Sequence, residues 1–148
     1  MRIVFEDENV IVVDKPPGML TIATDTERSK TAYAILRAYA NGKKPEEKIF
    51  IVHRLDREAS GLLVFAKTIE AKERLQDQFK DHSAGRKYVA VVEGRVTADQ
   101  STIRSYLAEN RAMRVYSTRK SGAGKLAVTH IRVLKRGAKT TLIEARLE

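Results

Sequence analysis

The sequence predicts an α+β fold with a mixed, mostly antiparallel β-sheet and two main helices. Short apolar or alternating runs bounded by turn residues are typical of strands, and two longer segments repeat apolar residues at helical spacing. Runs of strands interrupted by only two helices favour this fold class. The predicted strands are RIVF (2–5), VIVV (10–13), IFIV (49–52), LLVFA (62–66), KYVAVVEG (87–94), MRVYS (113–117), LAVTHIRVL (126–134) and TTLIEARL (140–147).

Two short connections predict β-hairpins. The sequence FEDEN (5–9) lies between the first two predicted strands, and KRGA (135–138) lies between the last two. Strands joined by so few residues pair with each other in opposite directions. We therefore expect antiparallel pairing to be common.

The two predicted helices have recognisable ends. In residues 29–42, Ser29 is expected to cap the first turn, and Gly42 is expected to end the helix in a left-handed conformation. In residues 68–82, Thr68 is the expected cap. The apolar residues at helical spacing, which we expect to face inward, are Ala32, Ile35, Leu36, Tyr39 and Ala40 in the first helix and Ala71, Leu75 and Phe79 in the second.

Length and composition predict one domain, residues 1–148, that is soluble and cytoplasmic. A chain of 148 residues can remove roughly two-thirds of its unfolded surface from water. The chain has no cysteine, which excludes disulfides and thiolate metal sites and is compatible with a reducing cytosol. The acids in MRIVFEDENV and the absence of a run of about 18 apolar residues argue against a signal peptide and a membrane span.

The positive charge is concentrated in the C-terminal third. The net charge is +9, and residues 101–148 contain 11 basic against 3 acidic residues, whereas residues 1–100 contain 17 against 16. A segregated basic surface suits a polyanion, because neutralising phosphates releases their counterions. The distribution favours a nucleic acid as the partner over a general contribution to solubility.

The most informative stretch is VHRLDREASGLLVFAKT (52–68), which places five ionisable residues between IFIV and LLVFA, two runs typical of buried strands. A protein-kinase catalytic loop has the order His-Arg-Asp-Leu and an Asn further on, and it is accompanied by a glycine-rich loop. Here the order is His-Arg-Leu-Asp, no Asn lies in the residues that directly follow, and there is no glycine-rich phosphate loop. A zinc site is disfavoured because His53, His82 and His130 are far apart in the sequence.

This stretch closely resembles the signature of the RluA-type RNA pseudouridine synthases, and three further segments resemble the family's motifs in the expected order. VIVVDKPPGM (10–19) is similar to its N-terminal strand and Asp-Lys-Pro turn, and TIEAKERLQDQF (68–79) to the helix after the signature. GRKYVAVVEG (85–94) is similar to its second motif. The resemblance extends from about residue 3 to the C-terminus, and it implies the catalytic-domain fold of that family.

The chain departs from the family's pattern at two places. Ala59 stands where the family most often has Thr, a change we expect to be tolerated. TTLIEARLE (140–148) resembles the strand that leads into the third motif, Thr-Gly-Arg-x-His-Gln-Ile-Arg, which would follow Glu148. We therefore expect a catalytic domain that lacks its third motif, and no separate N-terminal RNA-binding domain.

The resemblance implies a uridine isomerase that acts on ribosomal or transfer RNA and needs no cofactor or metal. It makes Asp56 the catalytic carboxylate, acting as nucleophile or base. It implies that Arg54 fills the space left in the RNA when the target uridine swings out, and that Tyr88 stacks on the uracil. We expect a monomer whose partner is RNA, with neither DNA nor a membrane involved.

The surroundings of Asp56 should keep it ionised. We expect the flanking strands to shield it from water, which disfavours the ionised carboxylate. We expect the positive charges of Arg54 and Arg57 to offset that effect. Arg54 and Asp56 are two residues apart and would project from one face of an extended backbone. Ser60 and Gly61 should form the bend into LLVFA, where Gly61 permits backbone angles that other residues avoid.

Two alternative functions and the roles of two parts of the chain stay open. The first is a catalytically inactive RNA-binding fragment of such an enzyme, and the second is a glycoside hydrolase, for which Glu58 would be the only nearby second acid. His53 either orients a backbone group or is a structural histidine. Residues 111–125, with five cations and Tyr116, either form a basic hairpin that follows an RNA backbone or are a solvated loop.

Overall fold

The computed structural model describes residues 1–112, 114–120, 122 and 124–148. Within these residues the chain has two helices and nine strands, and all strand pairs are antiparallel, which confirms the predicted α+β class. The chain divides into two units, Met1–Ala84 and Gly85–Glu148, and we describe each by itself. The assignment of 1–148 to one catalytic domain stays a prediction. No helix in the described ranges has the length and apolar character needed to cross a membrane.

The first unit contains a four-stranded sheet with the order β1-β2-β4-β3. The predicted hairpin between β1 and β2 is confirmed, and the Asp7 carboxylate stabilises its turn by accepting hydrogen bonds from the backbone N–H groups of Asn9 and Val10. IFIV forms a strand only at its centre. The strands are β1 (Arg2–Glu6), β2 (Val10–Lys15), β3 (Phe50–Ile51) and β4 (Gly61–Ala66).

Helix α1 (Ala32–Lys43) begins and ends at residues other than those predicted. Ser29 is not the cap, because its N–H and hydroxyl both donate to Glu27. Thr31 caps the helix instead, since its backbone is extended and its side-chain oxygen accepts from the Ala34 N–H at 3.1 Å. Gly42 lies inside the helix, which ends at an extended Lys44, so the predicted left-handed glycine cap is wrong.

Helix α2 (Ile69–Lys80) begins as predicted. The Thr68 side chain accepts a hydrogen bond from the Ala71 N–H at 3.2 Å. Its predicted inward residues, Ala71, Leu75 and Phe79, are half-buried, so this helix covers the unit without entering its core. The core consists of side chains from the sheet, from α1 and from the loop that follows β3: Ile11, Val13, Leu36, Ala40, Val52, Leu55, Leu63 and Phe65.

An ion-pair network stabilises the first unit away from its core. Lys67 Nζ lies 2.9 Å from a Glu6 carboxylate oxygen and 2.8 Å from one of Glu47. The other Glu6 oxygen accepts hydrogen bonds from Tyr39 at 2.8 Å and from Lys43 at 3.1 Å. Burial alone would raise the pKa of Glu6, but the hydrogen bonds from Lys67, Tyr39 and Lys43 lower it to about 2.

The second unit is a five-stranded sheet with the order β5-β9-β8-β6-β7. Its last two strands form the predicted hairpin. The predicted strand MRVYS begins at Met113, which lies outside the described residues, and the observed strand covers Val115–Thr118. The strand β6 was not predicted from the sequence. The strands are β5 (Arg86–Glu93), β6 (Gln100–Glu109), β7 (Val115–Thr118), β8 (Lys125–Arg136) and β9 (Thr140–Leu147).

Candidate active site

The ionisable residues of VHRLDREASG lie on a loop, residues 52–60, that joins β3 to β4. Val52 and Leu55 are buried among the core residues, whereas Arg54 and Asp56 are exposed. The apolar side chains therefore fix the loop to the unit, and the ionisable residues other than His53 are exposed. This alternation explains why polar residues interrupt the two apolar runs.

The hydroxyl of Thr21 fixes the backbone directly before Asp56. It donates to the Leu55 carbonyl at 2.7 Å and accepts from the Leu55 N–H at 3.2 Å. Thr21 is only 3% exposed, so water does not compete for these bonds. Both backbone polar groups of Leu55 are satisfied by one side chain, which limits the positions that Asp56 can take.

The ammonium group of Lys15 fixes the backbone directly after Asp56. Lys15 is 0% exposed, and its Nζ donates to the carbonyl oxygens of Met19 at 2.8 Å, Pro16 at 3.2 Å and Arg57 at 3.3 Å. The Arg57 carbonyl also accepts from the Gly18 N–H at 2.8 Å, where Gly18 has a φ of +82° that other residues rarely adopt.

Lys15 is also a positive charge next to the acids of the loop. Burial lowers the pKa of Lys15, while the carboxylates of Glu58 and Asp56 act in the opposite direction by favouring the ammonium form. Arg54 and Arg57 were the predicted counter-ions for Asp56, and this lysine was not predicted. The available signal was a lysine that ends the apolar run VIVVD and occupies a buried position of the strand pattern.

His53 is a structural residue of this loop. Its Nε2 accepts a hydrogen bond from the Val64 N–H at 3.3 Å, and its ring stacks on Phe79 with the centroids 4.3 Å apart. Accepting at Nε2 requires a neutral ring with its proton on Nδ1. Both roles expected for His53 are therefore confirmed, because it orients a backbone group and packs against α2.

The expected shelter around Asp56 is not provided by the flanking strands. Its side chain is exposed, and its carbonyl oxygen accepts from the Ala59 N–H at 3.2 Å in a tight turn. The bend into β4 uses Gly61 with a φ of +119°, as the sequence predicted. Arg54, Asp56 and Arg57 thus share one short exposed loop with a fixed backbone.

The third predicted site residue, Tyr88, belongs to the second unit. It lies on β5, is half-buried and is paired across the sheet with Ala145. Its neighbour Lys87 lies directly opposite Arg146, so two like charges share one face of the sheet. The stacking role of Tyr88 stays a prediction.

The predicted basic segment, residues 111–125, includes β7, the connections from β6 to β7 and from β7 to β8, and the first residue of β8. Arg111, Arg114, Arg119 and Lys120 are exposed, while Met113, Ser121 and Ala123 lie outside the described residues.

In the described part of the chain, no group of three His, Cys, Asp or Glu residues is arranged to hold a metal ion.

Comparisons with known proteins place this loop in a recognised family. The sequence model of the family described as RNA pseudouridylate synthase matches residues 9–148. The chain is 39% identical to the ribosomal large subunit pseudouridine synthase D of Zymomonas mobilis, covering 100% of this chain and 48% of that protein. It is 37% identical to the uncharacterized RNA pseudouridine synthase YlyB of Bacillus subtilis, covering 100% of this chain and 50% of that protein.

The fold comparison agrees with the sequence comparison. The solved structure of human RNA pseudouridylate synthase domain containing 4 superposes with a TM-score of 0.80 at 21% identity, covering 98% of this chain and 58% of that one. The chain spans about half the length of the curated relatives it matches. Because the family model matches nearly all of the sequence, including the loop around Asp56, the chain belongs to the RNA pseudouridylate synthase family.

Proposed function

We propose that this chain isomerises specific uridines to pseudouridine in structured ribosomal or transfer RNA, with Asp56 as the catalytic carboxylate. The observation that carries the proposal is the position of Asp56 in a loop of the family's signature, exposed between two residues whose backbone groups are bonded to buried side chains. Such preorganisation is what a positioned nucleophile or base requires.

The reaction balances without any co-reactant. The N1–C1′ bond of the uridine breaks, the uracil turns, and a new bond joins C5 to C1′. The proton on C5 leaves and N1 gains a proton, so the product is an isomer of the substrate. Asp56 acts either as a nucleophile at the ribose or uracil, or as the base that removes the C5 proton. No oxidant, reductant or nucleotide is consumed.

In this proposal the exposed loop meets an everted nucleotide. Arg54 fills the space that the uridine leaves in the RNA, and the flat guanidinium can stack there while it contacts phosphate. Tyr88 stacks on the uracil, an interaction worth about 1–3 kcal/mol per base. Lys15 and Thr21 do not touch the substrate, and they act as positioning residues for Asp56.

The proposed partner is RNA in the cytoplasm, bound by a monomer. The excess of 11 basic over 3 acidic residues in 101–148 supports a polyanionic partner. One relative is named a ribosomal large subunit pseudouridine synthase. Ribosomal RNA of the large subunit is therefore the first substrate to test, followed by transfer RNA.

Release of tritium from uridine labelled at C5 tests the reaction. Bonding at C5 expels the label, so unmodified ribosomal RNA transcribed with this uridine should release tritium into water. We expect Asp56→Ala to abolish the release. Glu58→Gln is the matched control, because Glu58 is an exposed acid of the same loop, and it should retain activity.

The possible outcomes separate the alternatives. No release above the Asp56→Ala background, on either class of RNA, would reject the isomerase and leave an RNA-binding fragment. Free uracil among the products would indicate hydrolysis of the glycosidic bond. Equal loss in Asp56→Ala and Glu58→Gln would show that the general charge of the loop matters, and not the carboxylate of Asp56.

A further inference from the structure

A groove crosses one face of the five-stranded sheet in the second unit, and its side chains share that face because of the strand register. Tyr106 on β6 pairs with Leu126 on β8, and Arg104 pairs with Val128. Directly paired residues of antiparallel strands point to the same side of a sheet. The groove has a volume of about 380 Å³ and is lined by Arg104, Tyr106, Arg119, Leu126, Val128 and Glu148. We call it the Tyr106 groove.

The floor of the Tyr106 groove is aromatic and aliphatic. Val128 is buried and Tyr106 is half-buried, so neighbouring residues hold both side chains in place. Leu126 is 59% exposed although it lies in the middle of the sheet order, on β8. Leu126 therefore offers apolar area to a ligand that enters the groove.

Two arginines give the Tyr106 groove its charge. Arg104 and Arg119 are both exposed, and neither forms an ion pair within the residues that the structure describes. A guanidinium that is not held in an ion pair can donate two parallel hydrogen bonds to a phosphate. The groove thus combines an apolar floor with two cations available for an anion.

The acid in the Tyr106 groove is already engaged. One Glu148 carboxylate oxygen lies 2.6 Å from His130 Nε2, and His130 Nδ1 lies 3.0 Å from the Thr102 hydroxyl. The hydrogen bond to His130 lowers the pKa of Glu148, and Arg104 and Arg146 lower it further. His130, Arg104 and Arg146 thus offset the negative charge of Glu148, which reduces its repulsion of a phosphate at Arg104 and Arg119.

We propose that the Tyr106 groove binds one nucleotide of an RNA strand, with the base on Tyr106 and Leu126 and the phosphate between Arg104 and Arg119. Aromatic floors that stack bases, beside cations that follow the backbone, are how proteins hold single-stranded RNA. The groove would bind a nucleotide other than the uridine that reacts. That this nucleotide belongs to an RNA strand rests on the proposed function. A free mononucleotide has the same chemistry and is distinguished by the test.

The test measures affinity for RNA without relying on catalysis. Fluorescence anisotropy with a short labelled single-stranded RNA compares the unaltered protein with Tyr106→Leu and with the double variant Arg104→Gln/Arg119→Gln. Lys139→Gln is the control, because Lys139 is an exposed cation in the turn between β8 and β9. Melting curves confirm that each variant is folded.

We expect Tyr106→Leu to weaken RNA binding about tenfold, which is the effect of losing one stacked base. The double arginine variant should bind about tenfold more weakly. Its affinity should also depend less on salt, with a slope of log affinity against log salt that is shallower by about 0.7 to 1. Lys139→Gln should change affinity by less than about twofold if the groove is the site.

Three results would overturn the inference. The groove is not an RNA site if the double arginine variant binds RNA as tightly as Lys139→Gln does. RNA is not its ligand if free uridine monophosphate displaces the labelled RNA at an equal concentration. The proposal also fails if both groove variants keep full affinity because another part of the protein covers the groove. Tritium release is a separate measurement, so loss of groove binding with intact, Asp56-dependent release rejects only this inference.

Discussion

The replacement Thr21→Val tests how the loop around Asp56 is held. Valine keeps the shape of threonine but substitutes a methyl group for the hydroxyl. The Leu55 N–H and carbonyl, which bond that hydroxyl at 3.2 and 2.7 Å, then lose their partner in a place that is 3% exposed. Neither group can turn to water without moving the loop.

The size of the effect follows from these two bonds. Leaving one buried polar group without a partner costs about 1–3 kcal/mol, and the extra methyl group recovers less than about 1 kcal/mol. Thr21→Val should therefore lower the free energy of unfolding by about 2–4 kcal/mol. Thr21→Ser keeps the hydroxyl and loses one buried methyl group, so it should cost only about 1 kcal/mol.

Urea unfolding of the two variants measures this difference, provided that the dependence on urea stays unchanged. If Asp56 is catalytic, the valine variant should also lower kcat for tritium release more than it changes KM, and serine should restore kcat. The reasoning is refuted if Thr21→Val is no less stable than Thr21→Ser, because the bridging hydroxyl would then contribute nothing that the methyl group cannot.

Three further predictions concern stability. The pKa of Glu6 is lowered from 4.5 to about 2, so its carboxylate stabilises the fold above pH 4.5 and loses that effect as the pH falls toward 2. Ionised Glu6 alone contributes about 3 kcal/mol to the free energy of unfolding. When unfolding is measured between pH 4.5 and 2, the stability of Glu6→Gln should therefore fall less steeply than that of the exposed control Glu8→Gln. Lys15→Met removes an ammonium from three carbonyls and should cost about 2 kcal/mol or more in urea unfolding, whereas Lys48→Met, at an exposed position, should cost less than about 0.5 kcal/mol. Thr31→Ala removes the cap of α1 and should cost about 1–2 kcal/mol, measured as a lower melting temperature; an unchanged value would contradict the cap assignment.

Local patterns in the sequence predicted most of the secondary structure but not every boundary. The segment SKTAY offers two good capping residues, Ser29 and Thr31, and local preference does not decide between them. The decision comes from a distant contact, since the Ala32 N–H donates to the Leu20 carbonyl at 2.8 Å and fixes where the helix begins. Boundaries set by tertiary contacts are not visible in a local pattern.

Strand β6 was missed for a related reason. Its residues, QSTIRSYLAE, alternate small polar and apolar side chains on one face and place polar and aromatic ones on the other. No apolar run marks it, because neither face is strongly buried. Its pairing with β8 over eight residues depends on the ladder of hydrogen bonds, which any sequence without proline can form.

The candidate site was found only in part from the sequence. The signature led to Asp56, Arg54 and Tyr88, but the residues that hold the loop lie 34 and 42 positions away from their partners. From the sequence alone, Thr21 is an ordinary polar residue and Lys15 is an ordinary cation at the end of a strand. Their function depends on which backbone groups they meet, and that is a property of the fold.

The exposure of Asp56 changes how the proposed chemistry must work. A carboxylate in water is a weak nucleophile and base because solvent stabilises its charge, and a pocket that excluded water would remove that stabilisation before the substrate arrives. Here the loop is fixed by Thr21 and Lys15 while the side chain stays hydrated. Under the proposed function, the RNA itself must displace this water when the uridine enters. The energetic cost of activating Asp56 is then met by RNA binding, so a free uridine nucleoside should release no tritium although it contains every atom that reacts.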